Sequence, residues 1–359
     1  MIDFVFDGHD WRYKTADEMP GELSMRLPDS QERVILTRKE PNEACKTLGV
    51  HIAMDGNQTA QTEYLKEKGQ EFADSYRGAG VMERNDAWAG QKLATIMATF
   101  RYPAMATTMT LKAWDTVMKP VKSAGLNLSG IACSFPHAVL YGPTLHQGLG
   151  LMHPFHFQEL EHLETILRCG NSDGTTGKLI QLCIENMRLE LGMPGHITDL
   201  DYSKLHLCAT DSWIKTVWKY SWEKGLTLSD KMSPLPLRRT NDRHLMDVFW
   251  EAGHSPEELK MLNQCRMFLH AITLADVTSA NGQEITEQAW NGQPLDNVTH
   301  AIPFPRNPSQ LSASHWTLWQ QALTDTVIAP YSLSGRRLTM HSVALGPTNT
   351  LGLALQGSW

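Results

Sequence analysis

The chain has 359 residues, of which 42% are hydrophobic and 20% charged, so its composition is that of a globular protein and argues against a disordered one. The net charge of -7 excludes a protein that coats nucleic acid or anionic membrane through its overall charge. The six cysteines form no CxxC pair, which argues against a zinc ribbon and against a compact disulfide framework.

The N-terminal sequence MIDFVFDGHDWRY has acidic residues and His where a signal peptide needs a basic start and an unbroken apolar run. No stretch approaches the roughly 18 uninterrupted apolar residues of a membrane span. We therefore expect an intracellular protein, cytoplasmic or nuclear, that has no membrane partner.

The first 57 residues carry the signals of short strands. Alternating runs at 11–15, 33–37 and 48–54 are separated by the turn pairs Pro20-Gly21, Pro28-Asp29 and Asp55-Gly56. These signals predict a small antiparallel sheet.

From Thr59 onward the apolar residues follow a helical period. Thr59 can cap a helix that ends at Gly78 or Gly80, and Thr110 begins one that runs toward Gly125 with a bend or end at Pro120. Further helices are predicted at 85–101, 155–169, 175–191, 202–224, 241–252, 255–271 and 312–328. The predicted fold class is mainly α with a small N-terminal antiparallel β sheet, an α+β protein.

The segment FPHAVLYGPTLHQGLGL, at 135–151, is predicted to hold a fixed shape. It combines two X-Pro steps, a run of apolar residues and closely spaced glycines, with no acidic residue. The residues that carry this pattern are Phe135, Pro136, Tyr141, Gly142, Pro143, Gly148 and Gly150.

Two ExxH motifs provide the sharpest enzyme hypothesis from spacing alone. Glu159 and His162 form one, and Glu251 and His254 form the other. Paired ExxH motifs on bundle helices build di-iron carboxylate sites, which makes such a site one alternative. Surface or core positions for these four residues are the other alternative.

Basic residues near aromatic ones are the second candidate feature. Lys112, Lys119 and Lys122 lie on the predicted helix that also carries Trp114. Arg238, Arg239 and Arg243 cluster further along the chain. Such a mixture suits contact with backbone phosphates and stacking on bases, although a solvated helix face explains each lysine as well.

The order of these features resembles that of a known family. Trp11-Arg12-Tyr13 lies in an early strand and Lys46-Thr47-Leu48-Gly49-Val50 in a later one, and a long helical stretch, Tyr102-Pro103, Thr107-Thr108-Met109-Thr110 and the 135–151 segment follow. This order resembles the region downstream of the polymerase palm in reverse transcriptases of retrotransposons, especially those of algae and other protists. The resemblance covers nearly the whole chain, and its clearest anchors are Leu48, Gly49, Val50 and the 135–151 segment. The family often has a basic residue after Phe-Pro, whereas this chain has His137.

The resemblance implies a domain organisation. Residues 1–57 would be the end of the palm, with a sheet edge left unpaired by the missing palm strands, and 58–134 a helical thumb along the minor groove of the duplex. Residues 135–150 would be a rigid connector, 151–330 a helical C-terminal domain and 331–359 a tail. The implied partners are an RNA or DNA primer-template duplex and the missing palm and fingers.

The resemblance does not extend to catalysis. Polymerisation uses metal ions held by palm carboxylates, commonly in a Tyr-x-Asp-Asp turn, and this chain has no Asp-Asp dipeptide. We therefore expect a truncated product that contacts nucleic acid without polymerase activity of its own. It would have no catalytic residue, metal or cofactor, because Mg²⁺ would belong to the missing palm. A self-contained helical scaffold for protein interactions is the alternative, with the di-iron enzyme as its second form.

Overall fold

The computed structural model describes residues 3–6, 11–27, 33–78, 95–228, 235, 237–280, 282, 284–293 and 311–325. The chain divides into two compact units, Met1–Glu164 and Thr165–Trp359. The described residues contain thirteen α-helices and three two-stranded antiparallel sheets, which confirms the predicted fold class. In those ranges no helix is both long enough and apolar enough to cross a membrane.

The N-terminal strands form three separate hairpins, where the sequence predicts one sheet. The pairs are β1 (Phe4–Phe6) with β2 (Trp11–Tyr13), β3 (Ser24–Arg26) with β4 (Arg33–Ile35), and β5 (Cys45–Thr47) with β6 (Val50–Ile52). Each strand has three residues and pairs with its neighbour in sequence. Pairing within a hairpin closes only a short loop, whereas joining the hairpins would need longer strands.

The first unit continues with helices. They are α1 (Thr59–Gly78), α2 (Thr95–Ala104), α3 (Leu111–Leu128), the short α4 (His137–Leu140) and the start of α5 (Pro154–Cys169), which crosses into the second unit. Helix α3 continues through Pro120, so this proline does not end the helix, and α2 includes Pro103 and ends one residue later at Ala104. The predicted helix at 85–101 lies partly outside the described residues.

Residues from α1, α2 and α3 share one apolar core. Its buried members are Leu65, Ile96, Met97, Phe100, Met109, Trp114, Val117, Met118 and Val121. Gly69 on α1 lets the helices approach closely, because a Cβ there would lie 2.9 Å from the Val117 carbonyl oxygen. Pro120 cannot donate a backbone hydrogen bond within α3. The burial of apolar side chains on both sides of it offsets this loss and keeps the helix continuous.

The second unit is helical in its described residues. After the end of α5 it contains α6 (Thr175–Leu191), α7 (Tyr202–Leu205), α8 (Trp213–Lys224), α9 (Leu245–Glu251), α10 (Pro256–Leu269), α11 (Leu274–Val277), α12 (Glu287–Asn291) and α13 (Ala313–Leu323). The single helix predicted at 202–224 is two helices, because Ser212 caps a new one by accepting the N–H of Lys215. The predicted capping box at Ser255 and Glu258 is confirmed. The predicted tail at 331–359 lies outside the described residues.

A buried arginine joins three segments of the second unit. The guanidinium of Arg266 is fully buried and donates to the carbonyl oxygens of Leu189 at 2.7 Å, Glu190 at 2.8 Å and Ala271 at 3.1 Å. Its Nε donates to Oδ1 of Asn263 at 2.9 Å. Burial lowers the pKa of Arg266 to about 10, and the group stays charged near neutral pH. Arg266 therefore satisfies carbonyl groups at the end of α6 that the helix cannot satisfy itself.

Candidate nucleic-acid interface

Helix α3 presents two of the predicted basic residues to solvent. Lys112 and Lys119 are about two helical turns apart and therefore lie on one face. Both are exposed, and neither forms an ion pair with a residue that the structure describes. Thr110 caps the helix by accepting the N–H of Ala113 at 3.2 Å, which sets where this face begins. The two lysines make a small positive surface.

Lys122 is separated from that surface. Its Nζ lies 3.7 Å from Oδ1 of Asp115 and 6.0 Å from the centroid of the Tyr141 ring, and its side chain is only 16% exposed. The structure thus brings Lys112 and Lys119 together and places Lys122 in an internal polar cluster. A phosphate at Lys122 would compete with the carboxylate of Asp115.

Trp114 does not share the exposed face with the lysines, which corrects the predicted arrangement. It is fully buried, and its ring contacts Phe100 edge to face at 6.1 Å between centroids. Its indole N–H donates to Oε1 of Gln158 at 3.0 Å. The apolar spacing of Trp114 with Val117, Met118 and Val121 is the sequence signal for this buried face. Trp114 is therefore a core residue and has no ring face for a base.

Gln158 is a buried residue that the sequence analysis missed. Its Oε1 accepts hydrogen bonds from the Thr107 hydroxyl at 3.1 Å, the Met109 N–H at 3.1 Å and Trp114 at 3.0 Å. Its Nε2 donates to the Met109 carbonyl oxygen and to Glu159. The amide therefore fastens the start of α5 to the loop before α3.

The residues of the ExxH motifs serve local roles. Glu159 is buried beside Gln158, and burial lowers the pKa of His162, which contacts backbone groups at Met105 and Thr107. Glu251 pairs with Arg243 at 2.7 Å, and His254 lies 3.6 Å from Glu258. Across the described part of the chain, no three His, Cys, Asp or Glu side chains converge in a way that could hold a metal ion. The geometry therefore gives the di-iron alternative no support.

The three predicted arginines bind within their own unit. Arg238 pairs with Asp276 at 2.6 Å, and Arg243 pairs with Glu251 at 2.7 Å. Arg239 donates to the Ser279 carbonyl oxygen at 3.0 Å and to the Thr278 hydroxyl at 2.9 Å. The bonds of Arg238 and Arg239 fasten the loop before α9 to the residues around α11, and the bond of Arg243 joins that loop to the end of α9. Their charges are already compensated or oriented, which makes them weaker phosphate ligands than exposed lysines.

The 135–150 segment, whose sequence predicts a fixed shape without specifying it, folds back on itself. The N–H of Leu149 donates to the Val139 carbonyl oxygen at 2.8 Å, and the N–H of Gly150 donates to that of Gly142 at 2.8 Å. A Cβ on Gly148 would lie 2.1 Å from the Gly142 carbonyl oxygen, so only glycine fits. Gly150 has a φ of 65°, which glycine adopts without strain.

The same segment has an apolar underside. Leu140 and Leu151 are buried with Leu126 at the end of α3, and Phe135 and Tyr141 pack against them. Pro136 and Pro143 each directly precede a short helical turn, at His137–Leu140 and Thr144–His146. Two backbone crossings and this contact with α3 give the segment a defined shape.

A polar cluster surrounds Tyr141. Its ring contacts His153 edge to face at 5.1 Å and His137 at 5.6 Å between centroids. Nε2 of His153 lies 3.3 Å from Asp115, while its Nδ1 accepts the N–H of Phe155 at 3.2 Å. Burial, with a contribution from the Asp115 charge, raises the pKa of Tyr141 to about 12. Both ring nitrogens of His153 are engaged, so it is a positioned group and not an available base.

The turn of the third hairpin differs from its predicted strand. Leu48 has a φ of 49° and Gly49 a φ of 88°, so both lie in a left-handed turn, and β6 begins at Val50. Leu48 is 84% exposed, whereas Val50 is buried. The Tyr102 hydroxyl donates to the Leu48 carbonyl oxygen at 2.6 Å and fastens this turn to α2. Leu48, Gly49 and Val50 thus form a turn held on the bundle.

Cationic side chains surround Tyr64 on α1, beside that hairpin. Lys46 Nζ lies 5.2 Å from the centroid of the ring and Lys68 Nζ lies 5.9 Å from it, and the ring of His51 lies at 4.9 Å. Lys68 also pairs with Glu71 at 2.6 Å. The sequence analysis did not select these residues, because the hairpin and the helix are brought together only by the fold.

Comparison with known proteins adds no assignment: no family model, no curated protein and no solved structure matches the chain.

Proposed function

We propose that the chain is the palm end, thumb and C-terminal region of a retrotransposon-type reverse transcriptase and that it contacts primer-template nucleic acid. It has no polymerase activity alone and holds no cofactor, because the metal-binding palm belongs to another part of such an enzyme. The order of elements supports this proposal. A hairpin with Leu48 and Gly49 at its turn leads into the helices α1, α2 and α3.

The observation that carries the proposal is the exposed pair Lys112 and Lys119. Both lie on one face of α3, with no ion-pair partner among the described residues. Lysines spaced along a helix can contact successive phosphates of a duplex, and each contact releases counterions. Lys122, Arg238, Arg239 and Arg243 contribute less because they already have partners.

Salt-dependent duplex binding tests the proposal. We expect the double variant Lys112→Gln/Lys119→Gln to bind an RNA-DNA duplex more weakly in fluorescence anisotropy. The slope of log affinity against log salt should fall by up to about 1.8 for the loss of two contacts. Lys178→Gln/Lys219→Gln, which removes two exposed lysines of the second unit, is the control with the same change in net charge. An unchanged slope, or no binding by folded protein, contradicts the proposal.

The N-terminal hairpins support the proposed partner, the missing palm and fingers. Their strands expose large apolar side chains, including Phe4, Phe6, Met25, Val34 and Ile35 at 42 to 61%. Exposed large apolar residues on each hairpin suit contact with a partner. Co-expression with a palm-fingers polypeptide of that family should give a complex that co-elutes in gel filtration. Capture of unrelated protein without duplex binding would instead support the scaffold alternative.

A nucleic-acid partner also places the protein inside the cell. We infer a cytoplasmic or nuclear location, which imaging of a tagged chain would test.

A further inference from the structure

A groove of about 660 Å³ lies where the third hairpin meets α1 and α2. It is lined by Gly49, Gln61, Tyr64, Leu65, Ala98, Thr99, Tyr102 and Pro103. The hydrogen bond from Tyr102 to Leu48 holds one wall, and fully buried Leu65 forms part of the floor. Its volume falls in the range of pockets that bind small molecules.

Gln61 gives this groove a polar group with unused hydrogen-bonding capacity. Its side chain is fully buried, and its Oε1 accepts the N–H of His51 at 2.7 Å. That bond determines the amide orientation, because the opposite orientation would place an NH₂ group against the His51 N–H. Nε2 is buried and has no acceptor among the described residues. Buried donors are nearly always paired, so an acceptor from a ligand is the natural partner.

The rim of the groove supplies an aromatic ring and positive charge. Tyr64 lines the groove, and Lys46 lies 5.2 Å from the centroid of its ring. Lys46 is exposed and forms no ion pair within the described part of the chain, whereas Glu71 compensates Lys68. A ligand that fits these groups has a planar face, a hydrogen-bond acceptor and a negative charge.

We propose that the groove binds one unpaired nucleotide, and this inference rests on the proposed function. When the groove wall moves and exposes the buried Nε2 of Gln61, this group donates to a base carbonyl or ring nitrogen, the base packs beside Tyr64, and the phosphate lies at Lys46. Aromatic side chains hold unpaired bases in this manner, and lysine binds their phosphates. An extended peptide backbone also offers carbonyl acceptors, but a planar ring and a negative charge would have to come from its side chains, whereas a nucleotide carries both in one unit.

The test compares a blunt duplex with the same duplex that carries one unpaired nucleotide. In anisotropy titrations we expect the overhang to bind the wild-type chain about tenfold more tightly, and Gln61→Glu to abolish that preference. Gln61→Glu keeps an acceptor for His51 and replaces the NH₂ group with an oxygen. Gln70→Glu, on an exposed face of the same helix, adds the same charge and should keep the preference.

Two further measurements cover the risk that Gln61→Glu does not fold. Lys46→Gln changes an exposed residue and should also weaken overhang binding. In wild type, titration with UMP should shift the Gln61 side-chain NH₂ resonances in ¹⁵N NMR spectra. If UMP leaves them unmoved, or if a flexible peptide shifts them and UMP does not, the inference is wrong.

The outcomes separate this inference from the proposed function. If blunt-duplex binding depends on Lys112 and Lys119 but shows no preference for an overhang, the nucleotide-binding inference is wrong. The proposed function is then still supported. UMP binding at Gln61 without any duplex binding supports the groove as a nucleotide site and overturns the proposed function.

Discussion

The N-terminal hairpins and the helices around Arg266 differ in how far they bury their side chains. The hairpin strands have three residues each and leave Ile35 61% and Phe6 51% exposed. The second unit fully buries the guanidinium of Arg266. Its N–H groups donate to the carbonyl oxygens of Leu189 in α6 and of Ala271. The difference teaches that burial depends on how many elements surround a residue, because a lone hairpin has no second layer to cover it.

Arg266→Met should have the largest effect. It removes the guanidinium donors to the carbonyl oxygens of Leu189, Glu190 and Ala271. We expect a loss of about 3 kcal/mol in the free energy of unfolding, measured by urea denaturation. Lys260→Met, on an exposed position of α10, should change it little. If the two variants lose the same free energy of unfolding, the hydrogen bonds of Arg266 do not stabilise the second unit as proposed.

Gly148→Ala should have the second largest effect on the free energy of unfolding. It tests whether the 135–150 segment is as tightly packed as the helices around Arg266. Its Cβ would clash with the backbone of Gly142, which no side-chain movement relieves. We expect a loss of about 2 kcal/mol in the free energy of unfolding. Gly174→Ala, whose Cβ meets only the Ser172 hydroxyl at 3.8 Å, is the control. Equal stability of Gly148→Ala and wild type would show that the segment adapts.

Buried histidines should make the helical regions sensitive to acid. Burial lowers the pKa of His153, His162 and His244 below 6.5, although Asp115 opposes this at His153. A histidine that is neutral when folded binds a proton more readily when unfolded, so stability falls as pH drops below about 6.5. Urea denaturation at pH 7.5 and 5.5 should show the loss. Histidine resonances that titrate alike in folded and unfolded protein would contradict this prediction.

The smallest effect should come from Ile35→Thr, with Ile184→Thr as its buried counterpart. Ile35→Thr, in a hairpin, should change the free energy of unfolding by less than about 0.5 kcal/mol, because the side chain is 61% exposed. Ile184→Thr, on α6, should cost about 2 kcal/mol, because that side chain is 6% exposed and the hydroxyl would be buried. If both cost the same, a partner covers the hairpins in solution and the comparison fails.

Much of the helical fold could be predicted from local signals. The 175–191 prediction matches α6, and the capping box at Ser255 places the start of α10 correctly. The break before α8 was missed because Ser212 reads as an ordinary polar residue inside a helical period. Pro120 was predicted to bend or end its helix, and the helix does not end there, because buried packing outweighs one missing hydrogen bond.

The candidate site was harder to predict than the fold. Lysines at 112 and 119 can be placed on one face from the helical period alone. The groove could not be found in this way. Gln61, Tyr64 and Tyr102 come together only because the third hairpin contacts two helices. The arginines illustrate the same limit, since Arg238 and its partner Asp276 are far apart in sequence.

The sequence by itself determined the mainly helical class and most helix positions, because capping and apolar period act over a few residues. Only the tertiary structure decided which side chains face solvent. It buried Trp114, gave Lys122 and the three arginines polar partners, and left Lys112 and Lys119 exposed. Those outcomes depend on which elements meet across long stretches of chain, and no local pattern encodes such contacts.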